Sequence, residues 1–127
     1  MELKMLSFDG KVYSEELSRI SLPTNDGIRT VLDNHMDIVV PVDIGEVKLI
    51  KENKTEFVVV SEGIFNFKDN HAQLLVRTFE FPGEIDKDRA LRAKQRAEER
   101  LEKELSSKEL QETEMSLKRA ITRLRSI

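Results

Sequence analysis

Four arginines in the last third of the chain are the residues whose type and spacing fit a chemical task. Arg89 and Arg96 lie seven residues apart, which places both on one face of a helix. Arg119 and Arg123 lie four residues apart, one turn of a second helix. Guanidinium groups bind phosphate through two parallel hydrogen bonds, because their donors form a planar fork. If the two helices fold together, the four side chains gather, so the pattern predicts a site for the phosphates of a nucleotide.

The alternative is that these arginines only pair with acidic side chains one helical turn away. Arg96 and Glu99 have the spacing of such a pair, and ion pairs of this kind are common on exposed helix faces. Composition alone favours this second interpretation. Both interpretations stay open at this point.

No other group of residues has the spacing of a catalytic or metal site. His35 lies near Asp33 and Asp37, but a metal site needs further His or Cys ligands, and the chain has two His and no Cys. No glycines occur at the spacing of a phosphate-binding loop, GxxxxGK or GxGxxG. We therefore predict no enzyme activity and no metal of its own, and a metal-dependent enzyme using His35 is the remotest alternative.

The arginines lie on two predicted helices that begin at recognisable caps. Pro82-Gly83 ends the preceding strand and provides a hinge, and the Asp86 carboxylate can then accept hydrogen bonds from the free amides of a first helical turn. Ser106 and Glu109 have the spacing of a capping box, which starts a second helix over about Ser107 to Arg125. A break of one or two residues joins the helices, so we predict an antiparallel hairpin.

The chain before the hinge has the pattern of short strands. Met1 to Phe8 alternates apolar and polar residues, and Asp9-Gly10 then predicts a tight turn. Further apolar runs follow at Ile28–Leu32, Ile38–Val42, Ile44–Ile50, Phe57–Val60, Ile64–Phe67 and Leu74–Phe81. Seven or more short strands at this spacing predict an antiparallel β-sandwich or flattened barrel. The predicted fold is thus mainly β plus α, with a β-sandwich domain at 1–82 and a helical hairpin domain at 83–127.

Composition and charge exclude several classes of protein. No segment approaches the run of about 20 apolar residues that a membrane span needs, so we expect no direct membrane insertion. The absence of Cys excludes a disulfide framework. Residues 1–82 carry 9 basic and 14 acidic side chains, whereas residues 83–127 carry 12 and 10. The two parts therefore suit different partners, and we expect no nucleic acid among them.

The order of these parts and several short motifs resemble the epsilon subunit of bacterial F-type ATP synthases. The main motif is Ile85-Asp86-Lys87-Asp88-Arg89-Ala90, which meets the family pattern I(L)DxxRA at Ile85, Asp86, Arg89 and Ala90. Supporting motifs are Asp9–Ser14, Gly27 with Asn34-His35, Phe57–Gly63 and Arg96–Leu101. The similarity covers essentially the whole chain.

The resemblance implies a non-catalytic rotor subunit of the central stalk. In this family the sandwich binds the gamma subunit and rests on the membrane rotor ring of c subunits, and the two helices are a movable inhibitor of ATP hydrolysis by the alpha and beta catalytic subunits. We therefore expect a peripheral protein on the cytoplasmic side of the cell inner membrane, in an enzyme that transports protons or sodium ions. The alternative is a free-standing β-sandwich module that binds a partner through its helices.

The resemblance also implies ATP as a regulatory ligand of the folded hairpin. Some bacterial members bind ATP there, and the positions associated with the nucleotide are matched here by Glu80, Ile85, Asp86, Arg89, Arg96, Arg119 and Arg123. Four of these are the arginines found above from spacing alone, which favours ATP binding over simple ion pairing. The stretch from Ile28 to Asp37 departs from the family pattern, because it lacks the Pro before the His, so we expect the contact with the rotor ring to differ in detail.

Overall fold

In the computed structural model, which describes residues 1–127, ten strands precede two helices. The chain divides into two compact units, Met1–Phe81 and Pro82–Ile127. The boundary expected from the sequence lies one residue later. Neither helix is long and apolar enough to cross a membrane.

The first unit is a sandwich of two five-stranded sheets, as predicted. The first sheet has the order β2-β1-β9-β8-β5, and the second has the order β10-β7-β6-β3-β4. All neighbouring strands are antiparallel except β1 and β9, which run parallel. The strands are β1 Glu2–Ser7, β2 Val12–Glu16, β3 Arg19–Thr24, β4 Gly27–Leu32, β5 Ile38–Val42, β6 Gly45–Lys51, β7 Lys54–Val60, β8 Gly63–Lys68, β9 His71–Val76 and β10 Phe79–Glu80.

The alternation of apolar and polar residues decides which side chains enter the core. In β1, Leu3 and Met5 are fully buried, while Glu2 and Lys4 between them face solvent. The largest fully buried side chains of the sandwich are Phe65, Phe67, Phe79, Leu3, Met5, Ile20, Leu22, Leu49 and Leu74. Each such side chain contributes about 1.5–3 kcal/mol by leaving water. The sandwich therefore has a hydrophobic core of its own.

The apolar run from Leu74 to Phe81 forms two strands instead of one. The chain leaves the first sheet after β9, crosses at Arg77-Thr78, and joins the second sheet as β10. At the crossing, the Ser61 amide donates to the Thr78 carbonyl at 3.0 Å and the Arg77 amide donates to the Glu62 carbonyl at 3.1 Å. Residues 61–62 are the connection by which β7 passes to β8 in the first sheet. The two crossings therefore satisfy each other's backbone groups.

The last residues of the sandwich unit are held by an aromatic cluster. The Phe81 ring packs 4.9 Å from the Tyr13 ring and 6.5 Å from the Phe79 ring, measured between centroids. Lys11 Nζ lies 4.7 Å from the centre of the Phe79 ring and donates to the Phe79 carbonyl at 3.1 Å. Burial, with Glu15 accepting its hydroxyl at 2.7 Å, raises the pKa of Tyr13, so the phenol stays a hydrogen-bond donor. The chain is thus packed on the sandwich as far as Phe81.

The second unit contains α1 (Lys87–Leu101) and α2 (Ser107–Arg125), preceded by a 3₁₀ turn at Pro82–Glu84. Both predicted caps are confirmed. Asp86 Oδ1 accepts from the Arg89 amide at 3.1 Å. Ser106 Oγ accepts from the Glu109 amide at 3.2 Å and donates to the Glu109 carboxylate at 2.9 Å.

One local expectation for this unit is wrong. The connection between the helices spans residues 102–106, longer than the one or two residues expected. The Glu102 and Lys103 amides still bond to carbonyls of the last turn of α1, so further residues are needed to reverse the chain.

Candidate functional site

The two helices of the second unit line a half-open cavity of about 290 Å³. Its lining combines small side chains of both helices with two guanidinium groups of α1: Ala93, Arg96, Ala97, Arg100, Thr113 and Ser116. Ala97 and Thr113 are buried, whereas Arg96 and Arg100 are exposed. The small residues let the helices approach, and the arginines give the cavity a positive charge that suits an anion.

Arg119 lies next to this cavity, because its guanidinium forms a hydrogen bond with the lining residue Ser116. Its Nη2 donates to Ser116 Oγ at 3.2 Å, and Ser116 Oγ donates in turn to the Glu112 carbonyl at 3.0 Å. Ser116 precedes Arg119 by three residues, so both lie on one face of α2. The structure therefore brings two of the four predicted arginines, Arg96 and Arg119, to one place.

The other two predicted arginines lie nearer the ends of the helices that hold them and do not line the cavity. Arg89 is exposed in the first turn of α1, where its amide bonds to the capping Asp86. Arg123 is half-buried in the last turn of α2. Asp86 caps α1, and Ile85 before it is half-buried. Glu80 belongs to β10 in the other unit. The roles of these residues toward a nucleotide stay predictions.

The specific ion pair offered as the alternative role of Arg96 is not formed. Arg96 makes no salt bridge to Glu99; the ion pair along α1 joins Lys94 and Glu98 at 3.8 Å. This observation removes one reason for treating the Arg96 guanidinium as a merely structural group.

The sequence interpretation missed two residues of this site, Arg100 and Ser116. Arg100 follows Arg96 by four residues, so the spacing argument that selected the other arginines would also have found it. Ser116 carried no such signal, because a lone serine within a helix is common. Its role depends on which residue of α1 lies opposite, and the connection at 102–106 determines that register.

His35 does not belong to a metal site. Its Nδ1 lies 2.7 Å from the Met36 carbonyl oxygen, and its ring packs edge-on against Phe67 with centroids 6.1 Å apart. No three His, Cys, Asp or Glu side chains of the chain are grouped closely enough to hold a metal ion.

The outer face of the first sheet carries a second notable surface. Five residues, one from each strand, lie directly opposite their neighbours across the sheet and form a row: Val12, Leu6, Leu75, Ile64 and Pro41. We call this set the apolar row. Val12, Ile64 and Leu75 are 56%, 51% and 43% exposed. The next row, Ser14, Lys4, Gln73, Asn66 and Val39, is mostly polar. A continuous exposed apolar row is typical of a surface that contacts another protein.

Both parts of the chain match known protein families. Residues 1–82 match the family described as "ATP synthase, Delta/Epsilon chain, beta-sandwich domain", and residues 84–127 match "ATP synthase, Delta/Epsilon chain, long alpha-helix domain". The "ATP synthase epsilon chain" of Bacillus licheniformis is 39% identical over 98% of this chain and 95% of its own length. That of Caldicellulosiruptor bescii is 37% identical over 98% of this chain and 90% of its own length.

Two solved structures with the same fold come from mitochondrial ATP synthases. A chain of the Euglena gracilis enzyme, solved as OSCP/F1/c-ring, has a TM-score of 0.77 at 20% identity, over 94% of this chain and 76% of that chain. A chain of the Tetrahymena thermophila central stalk and c-ring has a TM-score of 0.69 at 14% identity, over 98% and 94%. These structures support the fold, and the bacterial relatives support the family. The chain belongs to the ATP synthase delta/epsilon chain family, as an epsilon chain, which is a non-catalytic subunit of the F-type enzyme.

Proposed function

We propose that this epsilon chain links the gamma subunit to the rotor ring of c subunits in a bacterial proton- or sodium-translocating ATP synthase. Its helical hairpin regulates ATP hydrolysis by the alpha and beta subunits, and ATP bound to the folded hairpin controls that regulation. The protein is then peripheral, on the cytoplasmic side of the membrane. The family assignment supports membership of the complex, and two surfaces of the structure support the finer roles.

The apolar row is the observation that carries the stalk function. It crosses all five strands of one sheet, so it presents a straight apolar surface on a rigid support. Half-exposed Leu75 and Ile64 lie directly opposite each other at its centre. A stable contact with a second protein would remove these side chains from water. We assign this face to the gamma subunit.

The helical hairpin supports the regulatory function. Arg96 and Arg119 lie at one cavity, and we place the phosphates of ATP beside them, with Arg89 and Arg123 completing the contacts. By resemblance to the family, Glu80, Ile85 and Asp86 contact the base and sugar. A polyanion offsets the repulsion between gathered guanidinium groups, so ATP stabilises the folded hairpin in proportion to its occupancy.

Binding of ATP then acts as a switch between two arrangements of the helices. The turn at Pro82–Glu84 and the connection at 102–106 are the segments whose backbone can change when the hairpin opens. Only the opened helices reach the catalytic subunits. Bound ATP favours the folded hairpin and so lowers the fraction of protein with opened helices. Hydrolysis is therefore inhibited when ATP is scarce, and the inhibition is released when ATP is abundant.

Co-purification from the source cell tests the stalk function. An affinity-tagged copy of the full chain should retain the gamma subunit and, under mild detergent, the c subunits, identified by mass spectrometry of the bound chains. A chain that elutes alone, or with proteins unrelated to the synthase, would favour the free-standing binding module instead.

A further inference from the structure

We propose that Ser116 is a positioning residue that holds the Arg119 guanidinium at the interhelical cavity, ready to bind a polyphosphate. This inference rests on the proposed function of the hairpin as an ATP site. It adds to that function a residue that acts through another and does not touch the ligand itself.

The hydrogen bonds of Ser116 determine which role it can take. A serine hydroxyl has one proton, and the Ser116 proton is donated to the Glu112 carbonyl at 3.0 Å. The lone pairs of Oγ are therefore left to accept, and Arg119 Nη2 donates to them at 3.2 Å. A phosphate oxygen also only accepts. The hydroxyl thus has no proton left for a phosphate, and its effect on a ligand passes through Arg119.

The neighbouring hydroxyl in the cavity lacks this second bond. Thr113 is fully buried and donates to the Glu109 carbonyl at 2.7 Å, one turn back along α2. It lines the cavity as Ser116 does, but no arginine bonds to it. The matched control is taken from outside the cavity: Thr122, on the same helix, donates to the Lys118 carbonyl at 2.7 Å and does not line the cavity.

Holding the guanidinium in advance favours binding. An arginine side chain has many rotamers, and restricting them when the ligand arrives opposes binding. The bond to Ser116 restricts Arg119 before the ligand arrives. Ser116 lines the same cavity as Arg96, so the bond from Arg119 Nη2 to Ser116 Oγ holds the Arg119 guanidinium at the edge of that cavity.

Ser116→Ala separates this role from a structural one. Alanine is the better helix former, so the substitution does not weaken α2 by its intrinsic preference. A purely structural serine would give unchanged or tighter ATP binding when replaced. A positioning serine gives weaker binding, by about three- to tenfold, because the Arg119 side chain must then be ordered when the ligand binds.

Calorimetric titration of the full chain with ATP and with inorganic tripolyphosphate tests the proposal. We expect Ser116→Ala to weaken the binding of both ligands, Ser116→Thr to restore affinity because it keeps the hydroxyl, and Thr122→Val, outside the cavity, to leave affinity within about twofold. In an Arg119→Ala background, Ser116→Ala should have no further effect. An additional loss in that background, or no rescue by Ser116→Thr, overturns the positioning role.

Two further results distinguish this proposal from the ATP site itself. Suppose that wild type binds ATP and that Arg89→Ala with Arg123→Ala weakens this binding. If Ser116→Ala then leaves the binding unchanged, only the Ser116 proposal fails. If wild type shows no saturable heat with either ligand, both fail. NMR relaxation of the Arg119 Nε in the ligand-free protein gives a direct readout: Ser116→Ala should increase its mobility, and equal order in both proteins contradicts the proposal.

Discussion

Exchanging the two central residues of the apolar row for a charged pair should disrupt binding to the gamma subunit without unfolding the sandwich. The change is Ile64→Glu with Leu75→Lys. These positions lie directly opposite on antiparallel β8 and β9, so the new side chains can form a cross-strand ion pair that supports the sheet. The variant therefore removes apolar surface while keeping the fold.

The size of the effect follows from the exposure of the two side chains. Ile64 is 51% exposed and Leu75 is 43% exposed, so about half of each aliphatic surface is still available for burial by a partner. Full burial of such a side chain contributes about 1.5–3 kcal/mol, so the exposed half contributes about 1 kcal/mol at each position. Losing both costs about 2 kcal/mol, which is about a 30-fold weaker complex. Desolvation of the new charges weakens it further.

The matched control is the same pair of substitutions one row away on the same strands. Asn66 and Gln73 also lie directly opposite each other, in the polar row, so Asn66→Glu with Gln73→Lys introduces the same charges. Calorimetry with purified gamma subunit, together with thermal unfolding of each variant, measures both effects. The apolar row is not the gamma contact if the control weakens binding as much as the test pair, or if the test pair unfolds no earlier than wild type and binds gamma as tightly.

Three further predictions concern the two units separately. Residues 1–82 alone should give a soluble fragment that melts cooperatively and still binds gamma, because the sandwich core is self-contained; an unfolded fragment would contradict this. Arg89→Ala with Arg123→Ala should weaken ATP binding at least tenfold by calorimetry, whereas equal affinity would return these arginines to surface ion pairing. Lys51 Nζ lies 2.7 Å from the Glu15 carboxylate, and this contact is the main reason that the pKa of Glu15 is lowered. The pair therefore stabilises the fold fully above about pH 4.5, the ordinary pKa of Glu, and its contribution is lost as the pH falls below that value. Lys51→Met should therefore flatten the acid side of the stability curve, and an unchanged pH dependence would show that the pair is not the cause.

The local features of the fold were predictable from the sequence because neighbouring residues determine them. Asp86 and Ser106 cap their helices, since a short acceptor side chain before a helical stretch can satisfy the free amides of its first turn. Alternation in Glu2–Ser7 indicated a strand with one buried face, and the structure has that strand.

The features that were not predictable depend on residues far apart in the chain. The parallel pairing of β1 with β9 joins Leu3 to Ala72, and the hydropathy of either strand is the same for a parallel or antiparallel neighbour. The crossing at Arg77-Thr78 is stabilised by backbone bonds to residues 61–62, which no local pattern records.

The candidate site shows the same limit. Arginine spacing identified Arg96 and Arg119, because helical periodicity alone places them on defined faces. The role of Ser116 depends on the register between the two helices, and therefore on the length of the connection at 102–106. One helical turn of difference in that register would place another residue at the cavity.

Inhibition of ATP hydrolysis by the proposed movable hairpin, and its release by ATP, can be measured in a single assay. Hydrolysis by the assembled catalytic complex is followed with the full chain or with residues 1–83 alone, after incubation at low or high ATP. We expect the full chain to inhibit after low ATP and much less after high ATP, and the shortened chain to inhibit in neither case. Equal hydrolysis with the two chains after low ATP would contradict this expectation.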